Sequence, residues 1–128
     1  MRKPFALLFL VFLAAGFIGV RAQTPSPSLK NTVWKFYVEP LNDTLTMHIG
    51  VDTNYSMSSA GQMIVRSLWK ESKDTLRIND IDGAYPCHDG EGIYRFAIDG
   101  DTMTWTLLSD PCPDRASSLA GLKFVRSK

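Results

Sequence analysis

The side chains able to do chemistry lie close together in one acidic, glycine-rich stretch. Asp82–Gly92 reads DGAYPCHDGEG and holds Cys87, His88, Asp89 and Glu91, with Asp80 just before it. Cys87, His88 and the later Cys112 are residue types that bind zinc, but they lack a clear fourth ligand. Asp80, Asp82, Asp89 and Glu91 are the right type for calcium. The EF-hand spacing is absent, because Ile78 and Ala84 stand where oxygens are needed. A solvated acidic loop is the simpler reading, with no metal and no cofactor. His48 falls on the polar face of a strand beside threonines, and no nucleophile motif accompanies either histidine. The serines sit in turns and loops, where serine is common anyway. These residues point away from an enzyme.

The same cysteines read better as a structural pair. Arg2 and Lys3 precede the apolar run Phe5–Val20, and Val20-Arg21-Ala22 offers small residues at a cleavage site before Gln23. That is the layout of a secretory signal peptide over residues 1–22. The run is shorter than the ~20 residues a spanning helix needs, so no membrane span is expected after cleavage. No cysteine follows it to carry a lipid. The protein is thus expected to be exported, to a periplasm or the outside, where two cysteines form a disulfide. Only Cys87 with Cys112 can pair.

The first 22 residues carry Arg2, Lys3 and Arg21 and no acid, so 14 basic side chains fall to 11 against 13 acidic ones. The exported chain is mildly acidic, and nothing in it suggests a nucleic-acid partner. Gln23–Lys30 (QTPSPSLK) has the composition of a disordered spacer. Residues 31–128 suffice for one domain with one core, expected to be a monomer.

The elements that must position the loop are strands. Trp34, Phe36 and Val38 alternate with polar neighbours, and Pro40 ends the run. Leu45, Met47, Ile49 and Val51 share one face of Thr44–Val51. Asp52–Gly61 is small and polar and reads as a loop or a weak edge strand. Met63, Val65 and Trp69 are expected inward, then Leu76 and Ile78 on the next strand. Gly92–Arg126 is the clearest stretch: Tyr94, Phe96 and Ile98 alternate before Asp99-Gly100, and Met103, Trp105 and Leu107 alternate after it. A period of two places these side chains on one face, and Asp-Gly signals a type I′ hairpin. A short helix over Ser109–Ala120 and a final strand over Leu122–Arg126 complete the chain. Seven or eight antiparallel strands of this kind close into a barrel or fold as a sandwich.

This layout, with Trp34 inside an early strand, a meander, a late short helix and a terminal strand, resembles the lipocalin-like (calycin) barrels. Gly92–Arg126 is similar to small exported bacterial lipocalin-like proteins. The shared features are a G-x-Y hairpin (Gly92-Ile93-Tyr94), a D-x-C-x-x-R segment (Asp110–Arg115) and a closing aromatic-x-Arg (Phe124-Val125-Arg126). Thr32 replaces the glycine of the lipocalin Gly-x-Trp signature. The resemblance implies an all-β antiparallel meander closing into a small barrel, with one short helix before the last strand. It also implies that Arg126, or else Arg115, covers the Trp34 ring and closes one end.

The function expected from these features is non-enzymatic binding of a small hydrophobic ligand inside the barrel. Its lining would come from Trp34, Phe36, Met47, Ile49, Trp69, Tyr94, Phe96, Trp105 and Leu107. The alternative is a protein-interaction module, such as an inhibitor of a secreted hydrolase, that presents the disulfide-anchored 82–92 loop to its partner.

Overall fold

The computed structural model describes residue 19 and residues 27–128. Apart from residue 19, the expected signal peptide and its cleavage site lie outside the described residues, as does half of the spacer, residues 23–26. The eight strands are β1 (Thr32–Val38), β2 (Asp43–Ile49), β3 (Thr53–Met57), β4 (Met63–Ser72), β5 (Thr75–Asp82), β6 (Gly92–Asp99), β7 (Thr102–Ser109) and β8 (Lys123–Arg126). A helix, α1 (Pro113–Leu119), precedes β8. Each strand pairs antiparallel with the next, and β8 pairs back onto β1, closing the barrel. Closure gives every strand a partner on both sides.

The turns follow from their residues. Pro40 sits in a 3-10 turn, Glu39–Leu41, that links β1 to β2. Asp99 faces Thr102 across a two-residue loop, Gly100-Asp101. Of these two residues only Gly100 has positive φ, at 59°. A glycine at the first central position fits a type II′ turn rather than the expected I′.

Register shifts occur in three strand pairs, β3–β4, β4–β5 and β6–β7, and the first resets the alternation the sequence suggests. Between β3 and β4, Ser56 faces Val65 while Met57 faces Met63, so Ile64 is the extra residue. Between β4 and β5, Arg66 faces Asp82 while Ser67 faces Asp80. A bulge re-aims the side chains around it. As a result Ile64 is buried and Met63, expected inward, is 38% exposed, while Ser67 and Trp69 stay inward with the alternation. Val51 is outside as well, because β2 ends at Ile49 and the chain turns where Gly50 N–H donates to Thr53 O (2.8 Å). The segment read as a loop or weak edge contains a full strand, β3, paired on both sides.

The core fills the half of the barrel near the β2–β3, β4–β5 and β6–β7 turns. Leu29, Trp34, Leu76, Tyr94, Met103 and Phe124 are fully buried there. Leu29 corrects the expected spacer 23–30. Its side chain is in the core, and its N–H donates to Glu71 Oε1 (2.9 Å), so the folded domain begins before residue 31. Arg126 lies over the Trp34 ring, 4.6 Å from its centroid, because the two residues are direct partners across β1 and β8. Trp34 Nε1 donates to Thr32 Oγ1 (2.8 Å), so the indole is satisfied at both its face and its edge.

Candidate functional site

The other half of the barrel is hollow. A cavity of about 940 Å³ opens at the end that carries the β1–β2, β3–β4 and β5–β6 connections and α1. Trp105 marks the boundary. It lines the cavity and packs against Trp69, Tyr94 and Phe124, with ring centroids 5.8, 5.5 and 4.6 Å away. Phe36 and Val38 of β1 and Leu45 and Met47 of β2 form an apolar wall. The wall from β3 to β5 sets a polar row, Asn54 and Ser56 of β3, Ser67 of β4 and Asp80 of β5, among Ile64, Val65 and Ile78. Alternation on β3 places Asn54 and Ser56 on one face, and cross-strand pairing sets Asn54, Ser67 and Asp80 in one row. All three neutral residues are buried, and neither Asn54 nor Ser56 takes part in a side-chain hydrogen bond among the described residues. The mouth is bounded by the loop Tyr85–Asp89 and by α1.

A buried ionic network fastens this mouth. The Arg115 guanidinium forks onto Asp110, Nε to Oδ2 and Nη2 to Oδ1, each at 2.8 Å. Nη2 also donates to Gly90 O (2.7 Å), tying α1 to the β5–β6 loop. Asp110 accepts the Tyr94 hydroxyl and the Cys112 backbone N–H (2.9 Å). Asp80 accepts Ser67 Oγ (2.8 Å) and the Cys87 backbone N–H (2.8 Å). Arg115 Nη1 stands 3.2 Å from Asp80 Oδ2, yet it makes no aligned hydrogen bond. The side chains of Arg115, Asp80 and Asp110 are 8%, 4% and 0% exposed, so the ions have left water almost completely. Two carboxylates therefore share one guanidinium.

Local electrostatics follow from the partners. Burial by itself would raise the Asp110 pKa. The hydrogen bonds from Arg115, Tyr94 and Cys112 outweigh it and hold the carboxyl below its ordinary value. Burial and the hydrogen bond to Asp110 both push the Tyr94 hydroxyl upward, so it stays protonated as a donor. Burial would lower the Arg115 pKa, but the two carboxylates raise it instead.

The disulfide Cys87–Cys112 joins the β5–β6 loop to the start of α1, with Cα atoms 6.3 Å apart. Cys87, Asp89 and Cys112 lie close enough together to form a metal-like group. The two sulfurs are bonded to each other, so neither is a free thiolate for a metal. The four acidic residues weighed for calcium go separate ways. Asp80 turns inward, Asp82 pairs with Arg66 at 2.5 Å, Glu91 pairs with Arg77 at 2.7 Å, and Asp89 remains exposed at the mouth.

Of the nine residues expected to line a ligand site, Phe36, Met47 and Trp105 line the cavity. Trp34, Ile49, Trp69, Tyr94 and Phe96 belong to the packed half. Leu107 is 39% exposed, because β7 outruns β8, whose pairing stops at Thr104. Arg126 takes the position over Trp34, and Arg115 serves the mouth instead. His48 stacks on Tyr55 on the outer wall, centroids 4.6 Å apart, while His88 is exposed beside the cavity. The polar row was not anticipated. Its one trace in the sequence is the period-two placement of Asn54 and Ser56, within a segment too polar to announce an inner face.

Gly92 shows why the G-x-Y position requires glycine. A Cβ there would meet Asp110 Oδ2 at 2.6 Å and the Tyr94 ring at 3.0 Å. Comparison with known proteins finds no matching family model, no matching curated protein and no matching solved structure.

Proposed function

We propose that this is an exported, non-enzymatic, lipocalin-like binding protein that holds a small, largely apolar molecule in its barrel. The observation that carries this reading is the cavity of about 940 Å³. Ligand pockets fall in the range of about 300–1,000 Å³, and an eight-stranded barrel either fills itself or holds one small ligand. Here half the barrel is filled and half is not. The disulfide supports export, since such bonds persist in oxidising compartments.

The test is native mass spectrometry on protein purified from an exporting host without detergent. The expected result is a reproducible added mass that disappears on denaturation. A bare chain from every host, together with no calorimetric binding of apolar probes, would overturn the reading.

One observation favours a second reading, a protein-interaction module such as an inhibitor of a secreted hydrolase. Tyr85 is 64% exposed on a loop held by the disulfide, and a pre-ordered loop loses less entropy on docking. A stoichiometric protein co-purifying with the exported chain, and lost on Tyr85→Ser, is the result this reading requires.

A further inference from the structure

The polar wall of the cavity has a sign. Ser67 Oγ gives its proton to Asp80, so the lone pairs left on Ser67 and on both Asp80 oxygens are acceptors. The one nearby cation, Arg115, is already forked onto Asp110 and presents no aligned N–H to Asp80. Asp80 is 4% exposed and lines the cavity, where it accepts Ser67 Oγ and the Cys87 N–H and stands 3.2 Å from the guanidinium it shares with Asp110. One guanidinium between two buried carboxylates leaves a net negative charge beside the cavity, which a cation offsets. Asp89 and Asp114 at the mouth add further negative charge, against Arg115 alone among the lysines and arginines lining the cavity. Asn54 and Ser56 are 3% and 2% exposed, line the same wall and have no side-chain hydrogen-bond partner among the described residues. They stand ready to receive a polar group brought in from outside.

A headgroup suited to this wall donates hydrogen bonds and carries positive charge. An ammonium offers three donors and no acceptor, whereas a carboxylate offers only acceptors and would face like charge. We propose that the cavity takes a cationic amphiphile, with its ammonium group held at Asp80 and Ser67 and its apolar chain against Phe36, Leu45 and Met47. Asn54 and Ser56 complete the polar lining beside the headgroup. This proposal rests on the carrier reading and specifies the chemistry of its ligand.

The test is a calorimetric titration of the folded, disulfide-bonded protein with decylamine, decanol and decanoate, each below its aggregation concentration. The chain is constant, so differences report the headgroup. The amine is expected to bind roughly tenfold or more tighter than the alcohol, as for a charge-assisted hydrogen bond, with decanoate weakest. Asp80→Asn is expected to bring the amine-to-alcohol ratio close to one. If decanol or decanoate binds as tightly as the amine, the ammonium site is wrong while the carrier reading stands. If none of the three binds, both readings fail. An unchanged ratio in folded Asp80→Asn would remove Asp80 from the site. Should that variant not fold, the headgroup series on the native chain decides the matter by itself.

Discussion

Arg115 and Asp110 meet in a two-pronged ion pair, both bonds at 2.8 Å, five residues apart across the turn that opens α1. The pair lies at the junction of three elements. Asp110 receives the Tyr94 hydroxyl from β6, and Arg115 reaches the carbonyl of Gly90 in the β5–β6 loop. The D-x-C-x-x-R segment thus works as a clasp. Its aspartate and arginine join each other, and its cysteine bonds to the loop opposite.

Arg115→Ala should therefore be severely destabilising. It leaves Asp110 and Asp80 buried without a cation, and breaking a buried pair in this way costs about 3–5 kcal/mol. Arg115→Lys should recover only part of that, because an ammonium cannot fork onto Asp110 and reach Gly90 O together. Urea unfolding midpoints of the three proteins measure the difference.

Acid should loosen the clasp, and the sign is set by Asp110. Its folded-state pKa is lowered, so its contribution to stability is fully present above the ordinary carboxylate value of about 3.9. That contribution is lost as the pH falls through the lower folded-state value. Asp110→Asn should lower stability at neutral pH and weaken the acid dependence below about pH 4. Parallel stability curves for the two proteins across that range would contradict this assignment.

Gly92→Ala adds one methyl group where there is no room. The nearest atom is a carboxylate oxygen that Arg115 and Tyr94 hold in place, so it cannot swing aside at low cost. Overpacking of this kind costs about 1–3 kcal/mol. Gly92 has no positive φ, so its loss is steric; the same substitution at Gly61, with open space around it and a φ of 84° that alanine disfavours, shows what backbone strain alone costs. The prediction is a larger loss at Gly92 than backbone strain alone produces at Gly61.

Removing the disulfide should act on the mouth more than on the packed half. Its loop spans 25 positions, for which the chain-entropy relation gives roughly 3.5 kcal/mol. Cys87→Ser with Cys112→Ser should lower the unfolding midpoint accordingly. Amide exchange should quicken first around Cys87 and in α1, whose further ties include the Arg115 contacts and the Cys87 N–H bond to Asp80, beyond the Ala84 and Tyr85 N–H bonds to β4. Equal acceleration across β1 and β8 would show that the bond supports the whole barrel rather than its mouth.

Much of the architecture was determined by the sequence itself. Alternation at Trp34–Val38, Leu45–Ile49 and Tyr94–Trp105 specifies strands with one buried face, and Pro40, Gly100 and Gly121 punctuate them. These signals are local, because a period of two and a turn residue act over a few positions. The late helix was legible for the same reason, and the cysteine pair because the chain holds only two cysteines.

Tertiary structure alone decided which half of the barrel is hollow and what lines it. The bulge between β3 and β4 exchanges Met63 for Ile64 on the inner face, and a bulge depends on how neighbouring strands pair. Asn54 and Ser56 carry no hydropathy signal strong enough to choose a side; their inward face is set by pairing with β2 and β4. Among Asp80, Asp82, Asp89 and Glu91, only the fold selects Asp80 for burial. Its partner Ser67 stands opposite it across β4 and β5, in a register set by the bulge there, and Arg115 reaches it from α1, 35 positions on, so neither contact is written in a local pattern.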